Sequence, residues 1–271
     1  MTLAILVSRA DPASVAIRDA LLGEASWETR GDFGAAPLRV GPDLVIAEVE
    51  GLHLFEESIG ERLAAALGET PEAIFVASKH KAASGSPSLT VHPVGVWGDV
   101  AEYGGKPRSF APAPARRMAQ ALRALAREAK GLRHAITYEV THHGPWTGVP
   151  LAFVEVGSTE EEWSKPEPAR AVARALLAVS REPPGDEPVV LGLGGGHYAP
   201  KCVDLALKGR AAPGHMLPGY AIDQGVARET VLAALAATPG VAGYALDSRG
   251  SKNGYDEVRA ILEDAGVPQL L

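Results

Sequence analysis

Short segments rich in Val, Ile and Leu alternate with stretches of helical periodicity along almost the whole chain, and that alternation limits the folds open to it. The sequence predicts strands at 3–7, 44–48, 73–78, 89–92, 134–141, 151–156, 189–193 and 241–246. It predicts helices at 12–22, 57–67, 113–129, 168–179, 201–207, 228–236 and 255–264. Strand and helix in turn imply an α/β fold: a mixed, mostly parallel sheet covered by helices on both faces. No internal repeat and no convincing linker interrupts the pattern, so residues 1–271 are read as one large domain. Sheets of this kind place their chemistry beyond the carboxyl ends of the strands.

Composition excludes several function classes. No apolar run approaches the roughly 20 residues that span a bilayer, so no membrane partner is expected. The opening M-T-L-A-I-L-V-S-R has no charged region before its apolar stretch and reads as a first strand, not a signal peptide. Cys202 is the only cysteine, which rules out an internal disulfide and a cysteine-rich zinc site and suits a reducing cytoplasm. Cys202 itself reads as a small buried hydrophobe. The net charge of −7 is unevenly spread. Residues 103–134 carry eight basic side chains against Glu128, a local +7 that leaves −14 for the remainder. At about 100° per residue, Arg116, Arg123, Arg127 and Lys130 fall in one stripe opposite Met118, Leu122, Leu125 and Ala129. Such a ridge can meet phosphate oxygens, so it is a candidate nucleic-acid contact.

Four polar clusters stand at predicted strand ends. The stretch A-I-T-Y-E-V-T-H-H-G (135–144) runs into His142 and His143. Strict alternation would put Glu139, Thr141 and His143 on one face and Tyr138, Val140 and His142 on the other. S-K-H-K-A-A-S-G-S-P (78–87) supplies Lys79, His80 and Lys81, and L-T-V-H-P (89–93) supplies Thr90 and His92. G-L-G-G-G-H-Y-A-P-K (192–201) puts three glycines before His197, at the entrance to a helix. Backbone amides there suit an anion or an oxyanion. The spacing is not that of a dinucleotide fingerprint, and neither a nicotinamide nor a flavin is expected. If the strands are neighbours, the imidazoles converge and can act as general base or bind zinc. Glu155, a charge in the apolar strand L-A-F-V-E-V, must pair with a histidine, a metal or another ion. Gly214 and His215 are expected in a loop over a pocket.

Together, S-K-H-K-A-A-S-G-S-P-S-L-T-V-H-P, the strand ending T-H-H-G-P and G-G-G-H-Y-A-P-K resemble the D-aminoacyl-tRNA deacylases of the archaeal and plant type, in the family's order and along the whole chain. The resemblance implies a phosphorylase or peptidyl-tRNA-hydrolase type of sandwich, zinc as cofactor, and hydrolysis of the ester between a D-amino acid and the 3′ end of tRNA. Its motif positions are Lys79, His80, His92, Thr141, His142, His143, Gly194, Gly195, Gly196, His197, Tyr198 and Lys201. One departure is Trp146, which separates Pro145 from Thr147. The expected catalytic set is His80, Thr141, His142, His143 and His197, with His80 or His142 activating water and the amides of Gly195 and Gly196 holding the oxyanion. Lys79, Gly194, Tyr198 and Lys201 are expected to bind substrate, with the ridge of Arg116, Arg123, Arg127 and Lys130 on the acceptor stem. His92, His142, His197 and Glu155 are the expected zinc ligands. A cytoplasmic monomer is expected. A zinc peptidase, amidase or nucleoside-processing hydrolase without an RNA partner is the rival reading.

Overall fold

A computed structural model describes residues 2–34, 36–247 and 254–271. Among these, the strands in chain order are β1 Leu3–Ser8, β2 Glu28–Phe33, β3 Ala36–Val40, β4 Leu44–Val49, β5 Ala73–Lys81, β6 Ser88–Pro93, β7 Ala135–Tyr138, β8 Leu151–Ser158, β9 Val189–Gly194, β10 Ala212–Leu217 and β11 Val241–Asp247. Eight of them form a mixed sheet in the order β2-β3-β4-β1-β5-β8-β6-β7, and three form a parallel sheet in the order β10-β9-β11. The central strands β4, β1, β5 and β8 run parallel, whereas β6 enters antiparallel to β8. The helices are α1 Pro12–Glu24, α2 Ile59–Leu67, α3 Ala115–Glu128, α4 Glu160–Trp163, α5 Pro166–Arg181, α6 Pro200–Leu207, α7 Gly219–Asp223, α8 Arg228–Ala236 and α9 Tyr255–Asp264. None is long and apolar enough to cross a membrane.

Alternation along the central strands builds two different faces. Phe75 and Ala77 of β5 and Val154 and Val156 of β8 share one apolar layer with α1, α3 and α5. Ile74 and Val76 of β5 and Leu151 and Phe153 of β8 lie in another, under α2. The second face does not stay apolar. Two residues further along each strand it carries Ser78 and His80, Glu155, and from β6 Thr90 and His92, all buried. The two-residue period of a strand therefore carries an apolar face directly into a polar floor.

The predicted elements are present, with three corrections. β2 and β3 form an antiparallel pair that the alternation rule missed, because E-T-R-G-D-F is a mostly exposed edge with no apolar stripe. The stretch around His215, expected as a loop, is the fully buried strand β10. The strand expected over 134–141 stops at Tyr138, because Val140 donates to the His197 carbonyl at 3.0 Å and Thr141 to the Met216 carbonyl at 3.1 Å. Those bonds join the two sheets.

Helix α3 is held by Arg117, whose guanidinium is buried. It grips Glu72 through two bonds of 2.7 and 2.9 Å and donates to the Val179 and Glu182 carbonyls at 2.8 and 2.7 Å. Removing one partner of such a buried pair costs about 3 kcal/mol, since the remaining charge and carbonyls lose their partners. Arg117→Leu is therefore expected to lower unfolding free energy by about that amount, read from the urea midpoint at unchanged slope.

Candidate active site

A cavity of about 430 Å³ opens where the polar ends of β5 and β8 meet the segment 139–143 and the turn after β9. Its lining includes Asp11, His53, Lys79, His80, Tyr103, Glu139, His142, His143, Glu155 and His197. Strand register explains the convergence. Glu155 sits opposite Ser78 on one side and Thr90 on the other, so it is flanked by the strands that carry His80 and His92. Glu139 follows β7 and bridges to Tyr198, which draws His197 across from the second sheet.

Glu139 is the centre of this arrangement and is fully buried. Its Oε1 lies 3.0 Å from His80 Nδ1, and its Oε2 lies 2.7 Å from His197 Nε2 and 3.6 Å from His142 Nε2. The two shortest contacts are at bonding distance, yet neither carboxylate oxygen has a partner in hydrogen-bond geometry. The rings approach the carboxylate closely without presenting aligned donors. Glu155 accepts from the Thr90 hydroxyl at 3.2 Å and lies 3.6 Å from His80 Nδ1 and 3.8 Å from His92 Nε2.

Burial and charge pull the rings apart in protonation. Burial disfavours a charged His80, but Glu139 and Glu155 outweigh it and raise the ring to about 11, so it is an imidazolium at neutral pH. Its Nε2–H then donates to the Tyr198 hydroxyl, 2.9 Å away. His92 is raised in the same way by Glu155 against the same burial. Burial also opposes both carboxylates, yet His197 and His80 hold Glu139 well below its ordinary range, and the facing histidines lower Glu155. The two carboxylates thus favour positive charge on both of these rings. His142 takes the opposite course: burial and the charge on His92 push it down to about 4. Its Nδ1–H donates to the Val140 carbonyl at 2.7 Å, so Nε2 keeps a lone pair that faces Glu139. His143 is likewise neutral, lowered by burial and by His142.

The expected alternation of His142 and His143 is overturned. Both line the cavity, because His143 takes a left-handed backbone with φ of 44° and turns the chain between them. A non-glycine residue pays roughly 1–3 kcal/mol for such a conformation, and it persists where the surroundings fix it. Here the His143 ring packs edge-on to Phe153 and His92.

Thr141 is buried beneath the cavity, not in it. Its hydroxyl accepts from Met216 N–H at 2.8 Å and donates to His215 Nδ1 at 3.1 Å, while His215 Nε2–H donates to the Ala111 carbonyl at 2.9 Å. Every polar atom of this relay is matched, so Thr141 positions the two histidines that follow it. Burial pushes His215 down to about 4 from the ordinary 6.5. The folded protein therefore refuses a proton that the unfolded chain accepts, and stability contributed above pH 6.5 is lost as pH falls towards 4. The expected loss is about 3 kcal/mol. His215→Gln, which can make both bonds without titrating, is expected to remove that component, seen as a shallower fall of unfolding free energy between those pH values.

Other expected site residues sit elsewhere. Lys79 reaches the rim, its ammonium 5.1 Å from the Trp163 ring. Among the described residues, the cavity lining includes neither the glycines 194–196 nor Lys201, which stands in the first turn of α6. The glycine run answers first to its own chain: a Cβ on Gly194, at φ of 96°, would meet the Asp247 carbonyl oxygen at 1.9 Å. The basic ridge lies on the other face of the large sheet, with α1 and α5. Arg116 donates to the Glu187 carbonyl at 3.1 Å and Arg123 pairs with Glu187 at 2.7 Å, so two of its four cations fasten the loop before β9. Arg127 contacts Glu128 at 3.2 Å, and Lys130 is exposed.

Three site residues were missed in the sequence. Glu139 carries the same signal as Glu155, a charge between apolar strand residues, and deserved the same weight. Asp11 caps α1 through Ser14 N–H at 3.0 Å and accepts from Lys79 N–H at 3.0 Å, and His53 lies 3.4 Å from it. Neither Asp11 nor His53 stands in a motif, so only the fold reveals them. Three sets of side chains bring their donor atoms within 4.8 Å of one another: His80, Glu139 and His197; His92, His142 and His143; His92, Glu139 and Glu155.

Residues 67–270 match the sequence pattern of a family described as D-aminoacyl-tRNA deacylase. The D-aminoacyl-tRNA deacylase of Thermoplasma acidophilum is 33% identical over 268 residues, covering 98% of this chain and 98% of its own. That of Arabidopsis thaliana is 36% identical over 249 residues, 82% of this chain and 76% of its own. The crystal structure of the conserved protein of unknown function AF0625 superposes with a TM-score of 0.91 at 32% identity, over 99% of this chain and 94% of that one.

Proposed function

The chain belongs to the D-aminoacyl-tRNA deacylase family, and we propose that it hydrolyses the ester joining a D-amino acid to the 3′ end of tRNA, through a zinc-dependent site built on Glu139. The observation that carries this reading is a buried carboxylate ringed by imidazoles from distant segments, inside a cavity open to solvent. We read residues 1–271 as one deacylase domain.

The residues fit zinc by a test internal to the site. The Glu139 oxygens and His92 Nε2 are buried without hydrogen-bond partners, and the donors are imidazole nitrogens and carboxylate oxygens, which zinc prefers. His80, Glu139 and His197 would hold it. Zinc there would supply Lewis acidity for the ester carbonyl and for ionisation of water.

The chain's own groups divide the remaining work. His142 Nε2, unprotonated at neutral pH, is placed to accept a proton from water. The Tyr198 hydroxyl, 2.9 Å from His80 Nε2, is placed to donate a hydrogen bond to negative charge developing on the carbonyl oxygen. Glu139 holds His197 at the mouth, where that half-exposed ring can meet the substrate. Lys79 and Lys81 at the rim bring positive charge to the terminal phosphates. A cavity this small excludes the tRNA body and admits its esterified end.

Matched D- and L-aminoacyl-tRNAs test the reading. Wild-type protein is expected to release the D-amino acid at least 100-fold faster than the L, and to stop when a chelator removes bound metal. Glu139→Gln, which keeps the shape and removes the charge, is expected to lower both zinc content and kcat/KM, the latter roughly 10²-fold or more. Equal rates on both substrates, or full activity in the glutamine variant, would remove the assignment.

A further inference from the structure

The ester of an aminoacyl-tRNA sits on the last ribose of an unpaired stretch, so whatever lies beside the cavity mouth meets single-stranded bases. Proteins hold such strands by stacking bases on aromatic rings and by placing cations along the backbone. Two large aromatic side chains stand in solvent at this mouth. Phe55 is 56% exposed and Tyr103 is 58% exposed. Tyr103 lines the cavity, as do His53 and Leu54, the two residues before Phe55.

These rings are mounted on rigid backbone. Gly104 packs against Leu54 so closely that a Cβ would lie 1.8 Å from its carbonyl oxygen and 3.5 Å from the Phe55 ring, which makes the two loops neighbours. Glu57 fastens them, accepting from Gly105 N–H at 2.6 Å through one oxygen and from Trp146 N–H at 2.9 Å through the other. The Tyr103 carbonyl accepts from Gly144 N–H at 3.0 Å, which ties the same loop to the segment after His143. An exposed aromatic on a pinned loop loses little freedom when a flat ring settles on it, so binding costs less. Lys79 and Lys81, in the lining of the same cavity, place positive charge beside the platform.

We propose that Phe55 and Tyr103 form a base-stacking platform that holds the unpaired 3′-terminal nucleotides of tRNA at the mouth of the cavity. The assignment rests on the deacylase reading for its substrate, and its test is a binding measurement that needs no catalysis. A short RNA hairpin ending in unpaired CCA is compared with the same hairpin cut flush. Wild-type protein is expected to bind the CCA-ended form at least tenfold more tightly at fixed salt. Phe55→Ala with Tyr103→Ala is expected to abolish that preference, while Phe55→Trp and Tyr103→Phe, which keep flat rings, retain it within about twofold. Both positions are exposed, and an unchanged melting temperature confirms folding. Equal affinity of the wild-type protein for both hairpins overturns the proposal, as does a preference that survives the double alanine change. Deacylation of D-aminoacyl-tRNA in the same preparation judges the underlying activity separately: hydrolysis without a CCA preference would sink the platform alone.

Discussion

Two negative charges buried in a sheet face govern the rest of this structure. A carboxylate removed from water without a partner is too costly for a domain of marginal stability to carry. Glu139 and Glu155 can exist only if imidazole rings are brought to them, and no single strand holds enough histidines to do so. Strand β5 provides His80, β6 provides His92, and the turn after β9 provides His197. The charges thus require five segments of the chain to meet at one point, and the cavity is the space that meeting leaves.

The fold meets this requirement with ordinary devices. A strand's two-residue period lets a face that is apolar under α2 become polar two residues later without any irregularity. Where regular pairing would have sent the polar residues apart, the chain leaves it: beyond Glu139 the backbone amides bond to the turn after β9 and to β10 in place of β6. The matched relay from Met216 through Thr141 and His215 to Ala111 then fixes the height of the two histidines. The left-handed turn at His143 aims both at the same space. The same low-polarity surroundings that make unmatched charge expensive also strengthen every interaction inside the cavity, which suits a site that must stabilise charge appearing on a substrate oxygen.

The basic helix shows what a pattern leaves open. Arg116, Arg123, Arg127 and Lys130 do lie along one ridge, as their spacing requires. A ridge, however, does not say what it faces. In the folded chain Arg116 and Arg123 find the carbonyl and carboxylate of Glu187, and the helix stands behind the sheet. The neighbouring Arg117, off the ridge, is the strongest fastener of the three. Charge near the cavity comes instead from Lys79 and Lys81, two cations in a short motif.

Much was legible in the order of residues alone. Alternating strand and helix gave the α/β class, because burial of a two-sided sheet demands Val- and Leu-rich strands and helices to cover them. The histidines at strand ends, and Glu155 as a charge where a covered strand wants none, were visible because hydrophobic context makes a lone polar residue conspicuous. Strands β2 and β3 escaped, since mostly exposed strands have little burial to print a pattern, and β10 escaped because its Gly and Pro resemble a turn. Which imidazole carries a proton, that Asp11 and His53 join the cavity, and that the arginine ridge faces away were settled only by tertiary structure. Each depends on distances between segments remote in sequence, and Coulomb attraction, desolvation and packing act through space, not along the chain.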